Sequence, residues 1–339
     1  MLKGIENVKG LYRKVKDSSS EARYKALLKA NGMFASIMRY VVLITIGYII
    51  LYPLFYMLSS SIRTRNSFLD PSVVWITSDV TFEHYKAASQ LLKFSSSLVN
   101  TIVFELIAAA IQIISCSVAA YGLARFEFKE KKILTFFMFL LILVPSQMLM
   151  LPIVTTYTKL DIFGILGLIG DWTGVDIRPN VLNSVWTFYL PALFGVGIRA
   201  GIIIYIYVQF FKGLPKELEE AAWIDGAGPI KTYVRIALPS SGVVIMTVTV
   251  FSVIWHWNDY YLANMYLYAD KWPLAVKLDR ITEPEAMLAL LRVTFGPEAP
   301  ETIAVVMAAC VMFIVPVLIM YMFLQKKFVK SIDRVGITG

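Results

Sequence analysis

Residues 213–239 contain the most informative arrangement of polar and small residues in the chain. The pattern predicts a short helix that starts at a proline and ends just before Gly226, which can adopt a left-handed stop. Acidic residues cluster near the predicted start, where the helix dipole favours anions. Ala221 and Ala222 permit close approach of another backbone, and Glu220 offers a carboxylate to a basic partner. The segment is a candidate docking site, although an interfacial hairpin packed on its own bundle would look the same.

Two charged residues, Glu105 and Arg199, interrupt otherwise apolar runs. If these runs cross a bilayer, each charge costs at least about 2.5 kcal/mol unless it faces protein or water. We expect both side chains to face the interior of a complex, where they could pair. The alternative is that Arg199 snorkels outward and Glu105 contacts a neighbouring subunit. Pro191 and nearby glycines argue against an unbroken helix before Arg199.

A third candidate region is the end of the fifth apolar run, at Trp257, Asn258, Asp259 and Tyr260. Together these residues offer an aromatic stacking face and hydrogen-bonding groups to a solute. Anchoring of a helix end and packing between subunits explain the same residues equally well. His256, beside them, is expected to be an interfacial residue rather than a proton carrier.

Several motifs of soluble enzymes are missing from the sequence. There is no Gly-Lys-Ser or Gly-Lys-Thr, so the chain lacks the phosphate-binding loop that supports ATP hydrolysis. The two histidines and two cysteines have neither metal-ligand spacing nor the pattern of a disulfide framework. We expect no catalytic residue, no metal site and no cofactor in this chain.

The elements that position these residues are six apolar runs. The chain has 339 residues, of which 58% are hydrophobic and only 17% charged, whereas a soluble domain carries about 25% charge. A span needs roughly 20 apolar residues, and each run is long enough. This composition predicts an all-α integral membrane protein. The predicted spans are 40–60, 94–124, 133–151, 184–211, 240–263 and 302–325.

Charge distribution suggests the orientation. Most of the 32 Lys and Arg residues lie in segments that are cytoplasmic if both termini are cytoplasmic, as the positive-inside rule favours. The predicted organisation is a cytoplasmic N-terminal extension (1–39), a six-helix domain (40–325) with a cytoplasmic loop (212–239), and a cytoplasmic tail (326–339).

Residues 220–239 resemble the EAA signature of permease subunits of bacterial ABC importers. The signature residues are Glu220, Ala221 and Ala222, then Gly226 after three residues, and finally Ile236, Leu238 and Pro239. The sequence around Asp225 resembles that of the carbohydrate-importer branch, in particular that of the six-span subunit type of the maltose permease. Further family-like segments are Asn100-Thr101, residues 119–125 and Trp257-Asn258-Asp259. The basic N-terminal extension, the long 166–202 stretch, and Ser331 and Ile332 in the tail depart from the family pattern.

The resemblance implies the type I ABC importer permease fold in a bacterial plasma membrane. It also implies the partners: a second, homologous permease subunit, two ATPase subunits that bind ATP and Mg²⁺, and an extracytoplasmic sugar-binding protein, with membrane lipid around the spans and no nucleic acid. The EAA residues and Asp225 would then contact an ATPase subunit. Glu105 and Arg199 would either brace the helix bundle or line the path of the sugar, and Trp257, Asn258, Asp259 and Tyr260 would offer the sugar a binding face on that path. Gln325 and Lys326 begin a tail that would reach between the ATPase subunits.

Two other classes compete with this interpretation. An ion-coupled secondary transporter or channel would place ionisable residues within its spans, for which only Glu105 and Arg199 are available. Transport by this chain alone on an ion gradient would support that class, whereas a strict need for an ATPase would support the importer. A membrane-embedded enzyme would require convergent catalytic residues, and the spans show none. The identity of the sugar cannot be inferred from the sequence.

Overall fold

The computed structural model describes residues 2–64, 66–67, 79–161, 164–281, 284–295 and 301–336. These residues are mostly helical, and the extended pairing among them is an isolated antiparallel bridge between Arg63 and Val80. The helices are α1 (Leu2–Ser61), α2 (Glu83–Leu92), α3 (Phe94–Arg125), α4 (Lys131–Leu143), α5 (Ser146–Thr158), α6 (Ile165–Thr173), α7 (Trp186–Leu193), α8 (Ala200–Gly213), α9 (Glu217–Ile224), α10 (Pro229–Ser240), α11 (Gly242–Trp257), α12 (Tyr261–Tyr266), α13 (Leu274–Ile281), α14 (Pro284–Phe295) and α15 (Thr302–Gly336).

Three helical stretches in the described residues are long and apolar enough to cross a membrane alone. They are Gly32–Ser61 within α1, Phe94–Arg125, and Thr302–Phe323 within α15. The number rises to five if two bent pairs each form one span: α4 with α5, bent by 108°, and α10 with α11, bent by 79°. The predicted fourth span does not meet this criterion, because α8 has only 14 residues.

The bend between α4 and α5 falls in the middle of the predicted 133–151 span. Val144 is extended, with φ −79° and ψ 117°, and Pro145 follows it. The proline ring clashes with a helical residue before it, so α4 must end here. A single straight helix over 133–151 is therefore wrong, and two helices replace it.

The predicted fourth span is interrupted between α7 and α8. Gly195 and Arg199 both have positive φ, at +67° and +51°, so residues 194–199 cannot continue a helix. The N–H of Val196 instead bonds the carbonyl of Pro191 at 2.8 Å. The predicted interruption before Arg199 is confirmed.

The helix ends differ from the predicted boundaries at three other places. Helix α11 ends at Trp257 rather than at residue 263, because α12 starts separately at Tyr261. Helix α15 continues to Gly336, so Gln325 lies within the helix and not at the start of a separate tail. Helix α1 begins at Leu2 and has no break at residue 39.

The described residues of the long 159–183 segment, 159–161 and 164–183, are held by local polar contacts. Asp161 accepts hydrogen bonds from the N–H groups of Leu166 and Gly167 at the start of α6. Asp176 binds both Arg178 and Lys159, and the hydrogen bonds from Arg178 and then Lys159 hold the pKa of its carboxyl well below its usual range. These contacts give the segment a defined shape.

Two compact units divide the chain, Met1–Ser59 and Ser60–Gly339. In the first unit, the apolar side chains of residues 33–58 are mostly exposed, as lipid-facing residues would be. The core of the second unit lies where α3 packs against α8 and α11. Tyr207, Phe211 and Cys116 are fully buried there, which agrees with a packing role for this cysteine.

Candidate functional site

The end of α9 has the geometry that the sequence predicts. Gly226 adopts φ +76°, and its N–H bonds the carbonyl of Trp223 at 3.0 Å. The N–H of Ala227 bonds the carbonyl of Ala222 at 2.9 Å, which completes a Schellman stop. A Cβ at Gly226 would meet no atom within 4 Å. The need for glycine is therefore conformational rather than a matter of space.

The acidic start of α9 also tethers this helix to α3. Glu219 is 4% exposed, and its Oε1 lies 3.0 Å from Nε of Arg125, the last residue of α3. The Nη2 atom of Arg125 donates to the carbonyl of Leu214 at 2.8 Å. One guanidinium therefore joins α3 both to α9 and to the turn before it.

A second tether joins α10 to α3. The hydroxyls of Tyr233 and Ser117 lie 3.0 Å apart. The Tyr121 ring, which is 4% exposed, packs against the rings of Tyr233 and Phe211, with centroids 5.1 and 5.5 Å away. The hairpin formed by α9 and α10, residues 217–240, is thus fixed to α3 at two points.

The opposite side of this hairpin is exposed. Glu220 and Ala221 face outward, whereas Ala222 is buried against the chain. Ile224 and Ile230 are 87% and 80% exposed, which is unusual for such large apolar side chains. Residues 228–231 and 234–235 line a shallow groove beside them. The hairpin therefore presents an apolar surface to a partner, with Glu220 on α9 and Lys231 and Arg235 on α10 as exposed charges.

The remaining residues of the predicted signature lie at the edges of this surface. Asp225 is exposed and occupies the C-cap position of α9. In α10, Ile236 and Leu238 are partly buried, and Pro239 is exposed next to the 79° bend. These positions shape the hairpin and its junction with α11.

A chain of buried polar groups links α3, α11 and the break between α7 and α8. Glu105 is fully buried in the π-helical turn Thr101–Leu106, and its Oε2 lies 3.1 Å from Nδ1 of His256. Nε2 of His256 lies 3.1 Å from Oε1 of Gln112, whose Nε2 donates to the carbonyl of Ile198 at 2.7 Å. The expectation that His256 is interfacial is wrong, because its side chain is a buried link between two helices.

The expected pairing of Glu105 with Arg199 is also wrong. Glu105 binds His256, whereas the Arg199 guanidinium lies over the Trp255 ring, 5.2 Å from its centroid. Arg199 is exposed and has a left-handed backbone, whereas Glu105 is fully buried. The two charged residues therefore belong to different surroundings.

The four residues proposed for a sugar site have separate environments. Trp257 is 3% exposed and its ring packs against Phe313 of α15. Asn258 is exposed and donates to the Ile254 carbonyl, and Oδ1 of Asp259 accepts from the N–H of Leu262 near the start of α12. Tyr260 is 46% exposed, so Asn258 and Tyr260 are the accessible members of the set.

For the tail, Gln325 is partly exposed within α15. The side chain of Lys326 and residues 337–339 lie outside the described part of the chain.

Sequence reasoning missed Gln112 and the tether between Arg125 and Glu219. Gln112 follows Glu105 by seven residues, a spacing that places both on one helix face, and this signal could have identified it. Glu219 could not be distinguished from its neighbours Glu217 and Glu220, because its partner is 94 residues away.

Comparison with known proteins gives a consistent result. The family described as "binding-protein-dependent transport system inner membrane component" matches residues 113–334. The trehalose transport system permease protein SugB of Mycobacterium tuberculosis is 28% identical, over 87% of this chain and 95% of that protein. The melibiose/raffinose/stachyose import permease protein MelC of Bacillus subtilis is 25% identical, over 85% and 91%.

A solved structure shares the fold. It is the crystal structure of a bacterial ABC transporter involved in the import of the acidic polysaccharide alginate, with a TM-score of 0.66 and 23% identity, over 86% of this chain and 96% of that chain. This likeness agrees with the type I ABC importer permease fold that the sequence predicts. The chain belongs to the family of binding-protein-dependent transport system inner membrane components.

Proposed function

We propose that this chain is one permease subunit of an ATP-driven importer and forms half of a heterodimeric pathway for a sugar or oligosaccharide. A second, homologous permease completes the pathway, two ATPase subunits bind ATP and Mg²⁺, and an extracytoplasmic binding protein delivers the sugar. The chain crosses the membrane six times with both termini in the cytoplasm, and α7 and α8 together form the fourth, broken span. The chain itself performs no hydrolysis.

The observation that carries this proposal is the two-sided hairpin of α9 and α10. Its inner side is fixed to α3 by the buried Arg125–Glu219 pair, and its outer side exposes Glu220, Ala221 and Ile224. The hairpin is held by its own chain on one side and is exposed on the other. Such a surface suits docking into a second protein. This surface fits into a cleft of an ATPase subunit. A basic residue of that cleft pairs with Glu220.

The tethers also suggest how movement would be transmitted. When the ATPase subunits close or open, the docked α9 moves with them. Because Arg125 and Ser117 lie on α3, displacement of the hairpin is passed to the cytoplasmic end of that helix. Helix α3 packs on α8 and α11, so access to the pathway changes with the position of the ATPase subunits.

The substrate class rests on the relatives. SugB is named for trehalose, and MelC for melibiose, raffinose and stachyose. These names support a sugar or short oligosaccharide as the transported solute.

Reconstitution of the whole complex tests the proposal. Purified complex in proteoliposomes, supplied with binding protein, should take up sugar only with ATP, and ionophores that dissipate ion gradients should leave uptake unchanged. Removing the ATPase subunits should abolish uptake. ATP-independent uptake by this chain alone, driven by an ion gradient, would overturn the proposal and support an ion-coupled transporter.

Cross-linking tests the docking site directly. In a chain with Cys116 and Cys310 replaced by alanine, Ile224→Cys should cross-link to an ATPase subunit. Val293→Cys, equally exposed at 87% but on α14, is the matched control and should not. Cross-linking from both positions, or from neither, would count against docking through α9.

A further inference from the structure

Helix α11 has two faces with different surroundings. One face carries Ser252 and His256, which are buried in the core of the chain. The other carries Phe251, Trp255 and Asn258, which this chain leaves wholly or partly uncovered. The Phe251 and Trp255 rings are stacked, 5.5 Å apart with an angle of 15° between their planes. The exposed face of α11 is therefore an aromatic ledge, residues 251, 255 and 258, that ends in an amide.

Arg199 lies beside this ledge. Its guanidinium is 5.2 Å from the centre of the Trp255 ring. A guanidinium held over an aromatic ring by a cation–π contact still has N–H groups to offer to a planar anion. Within the described ranges, no carboxylate lies within ion-pair distance of Arg199, and Glu105, which is buried in the core, is bound to His256.

The backbone of Arg199 is held in place in a conformation that most residues avoid. Its φ of +51° is left-handed, which is uncommon for a residue with a side chain. Gln112 fixes the preceding carbonyl of Ile198, and a Cβ at Gly197 would collide with Gln112. At Gly201, a Cβ would lie 2.8 Å from the Met138 carbonyl. Such constrained positions cluster at functional sites, where they fix a side chain in advance.

We propose that Arg199 and the ledge of Phe251, Trp255 and Asn258 form a subsite in the pathway for an acidic sugar, with the carboxylate of a uronic acid on Arg199. The guanidinium edge pairs with a carboxylate through two parallel hydrogen bonds. The exposed Phe251 ring supports the apolar face of the sugar ring, because Trp255 is contacted by Phe251 and Arg199. Oδ1 of Asn258 accepts from a ring hydroxyl, since its Nδ2 already donates to the Ile254 carbonyl. A positive charge within a span must face protein or water, and a water-filled pathway satisfies that requirement.

This inference rests on the proposed function, which it narrows to oligosaccharides that contain uronic acids. The test uses the whole complex with its binding protein in proteoliposomes. The probes are trigalacturonate, its methyl ester, which has the same backbone without charge, and neutral raffinose. The variants are Arg199→Gln, Arg199→Lys and Arg280→Gln. The Arg280 guanidinium lies 5.3 Å from the centre of the Trp272 ring, so Arg280 matches Arg199 in its aromatic contact but not in its location.

The wild-type complex should take up trigalacturonate in an ATP-dependent manner and prefer it to the ester. Loss of a charge-assisted pair in Arg199→Gln should slow uptake of the acid about 10- to 100-fold and change uptake of the ester little. Arg199→Lys keeps the charge but not the paired geometry and should show an intermediate loss. Arg280→Gln should leave the ratio of acid to ester unchanged.

Other outcomes overturn the inference. ATP-coupled uptake of raffinose without uptake of trigalacturonate would do so and leave the proposed function intact. Equal losses for acid and ester in Arg199→Gln would show that the charge does not contact a carboxylate. Dissociation of the two permease subunits in Arg199→Gln, detected by co-purification, would assign the ledge to the subunit interface instead. Failure of every sugar to couple to ATP would reject the proposed function, and this inference with it.

Discussion

Replacing Glu219 by glutamine should weaken the tether between α3 and the hairpin of α9 and α10. The side chains of Arg125 and Glu219 are only 4% and 5% exposed, so water screens their interaction little. Glutamine preserves the shape and one acceptor oxygen but removes the charge. A hydrogen bond to a charged group contributes about 1.5–3 kcal/mol, and its loss should raise the population of the detached hairpin roughly 10- to 100-fold.

Arg125→Ala is the more severe perturbation, because it leaves the Glu219 carboxylate buried without its partner. Breaking a buried pair in this way costs about 3–5 kcal/mol. By contrast, replacing both residues by methionine removes both charges and retains the bulk. Such replacements are often close to neutral, but methionine leaves the Leu214 carbonyl without the donor that Arg125 supplied, so the double variant should recover only part of the docking that Arg125→Ala loses.

Two measurements check these expectations in the assembled complex. Amide hydrogen exchange over residues 217–228 should accelerate in Glu219→Gln, and sugar uptake per ATP hydrolysed should fall. Glu217→Gln is the matched control, because Glu217 begins the same helix but is exposed. If Glu219→Gln and Glu217→Gln exchange and couple equally, the buried pair does not hold the hairpin and the reasoning is refuted.

Three further outcomes follow from the structure. Gly226→Val meets no steric obstacle but must adopt φ +76°, at a cost of at least about 1–2 kcal/mol. Sugar uptake per ATP hydrolysed should therefore fall in this variant, whereas Gly226→Asn should retain most of it. Normal uptake by the valine variant at normal expression would contradict this. Gly197→Ala places a Cβ against Oε1 of Gln112 and should lower the free energy of unfolding by about 1–2 kcal/mol, measured in detergent, while Gly122→Ala, with open space around it, should not. Truncation after Val329 should reduce sugar-coupled ATP hydrolysis, and unchanged assembly and hydrolysis would indicate that the basic tail only anchors α15.

The hairpin could be predicted from sequence because its geometry depends on neighbouring residues. The stop at Gly226 is decided by bonds to Trp223 and Ala222, three and five residues away from their donors. The same locality explains the confirmed break before Arg199, where glycines and a proline exclude a continuous helix. Helix-stop chemistry is readable wherever both partners lie within one turn.

Bends and long-range partners could not be predicted in this way. The apolar composition of residues 133–151 gives the length of the run but not the direction of the helix axis. The 108° bend at Pro145 therefore could not be predicted from it. The partner of Glu105 was misassigned because only fully charged residues were considered, whereas burial favours a compact set of mutually satisfied groups. His256 lies 151 residues away from Glu105, and only the packing of α11 on α3 brings them together.

Helix α3 connects the hairpin of α9 and α10 with the buried polar chain that contains Glu105 and His256. Near its end, Arg125 and Ser117 hold the hairpin that faces the proposed ATPase partner. Twenty residues earlier, about 30 Å along a continuous helix, Glu105 holds α11 through His256. Gln112, between them, fixes the break that positions Arg199. A displacement of the hairpin is therefore transmitted along α3 to the buried polar chain. Because packed helices have discrete arrangements, the displacement should shift α8 and α11 together rather than deform α3.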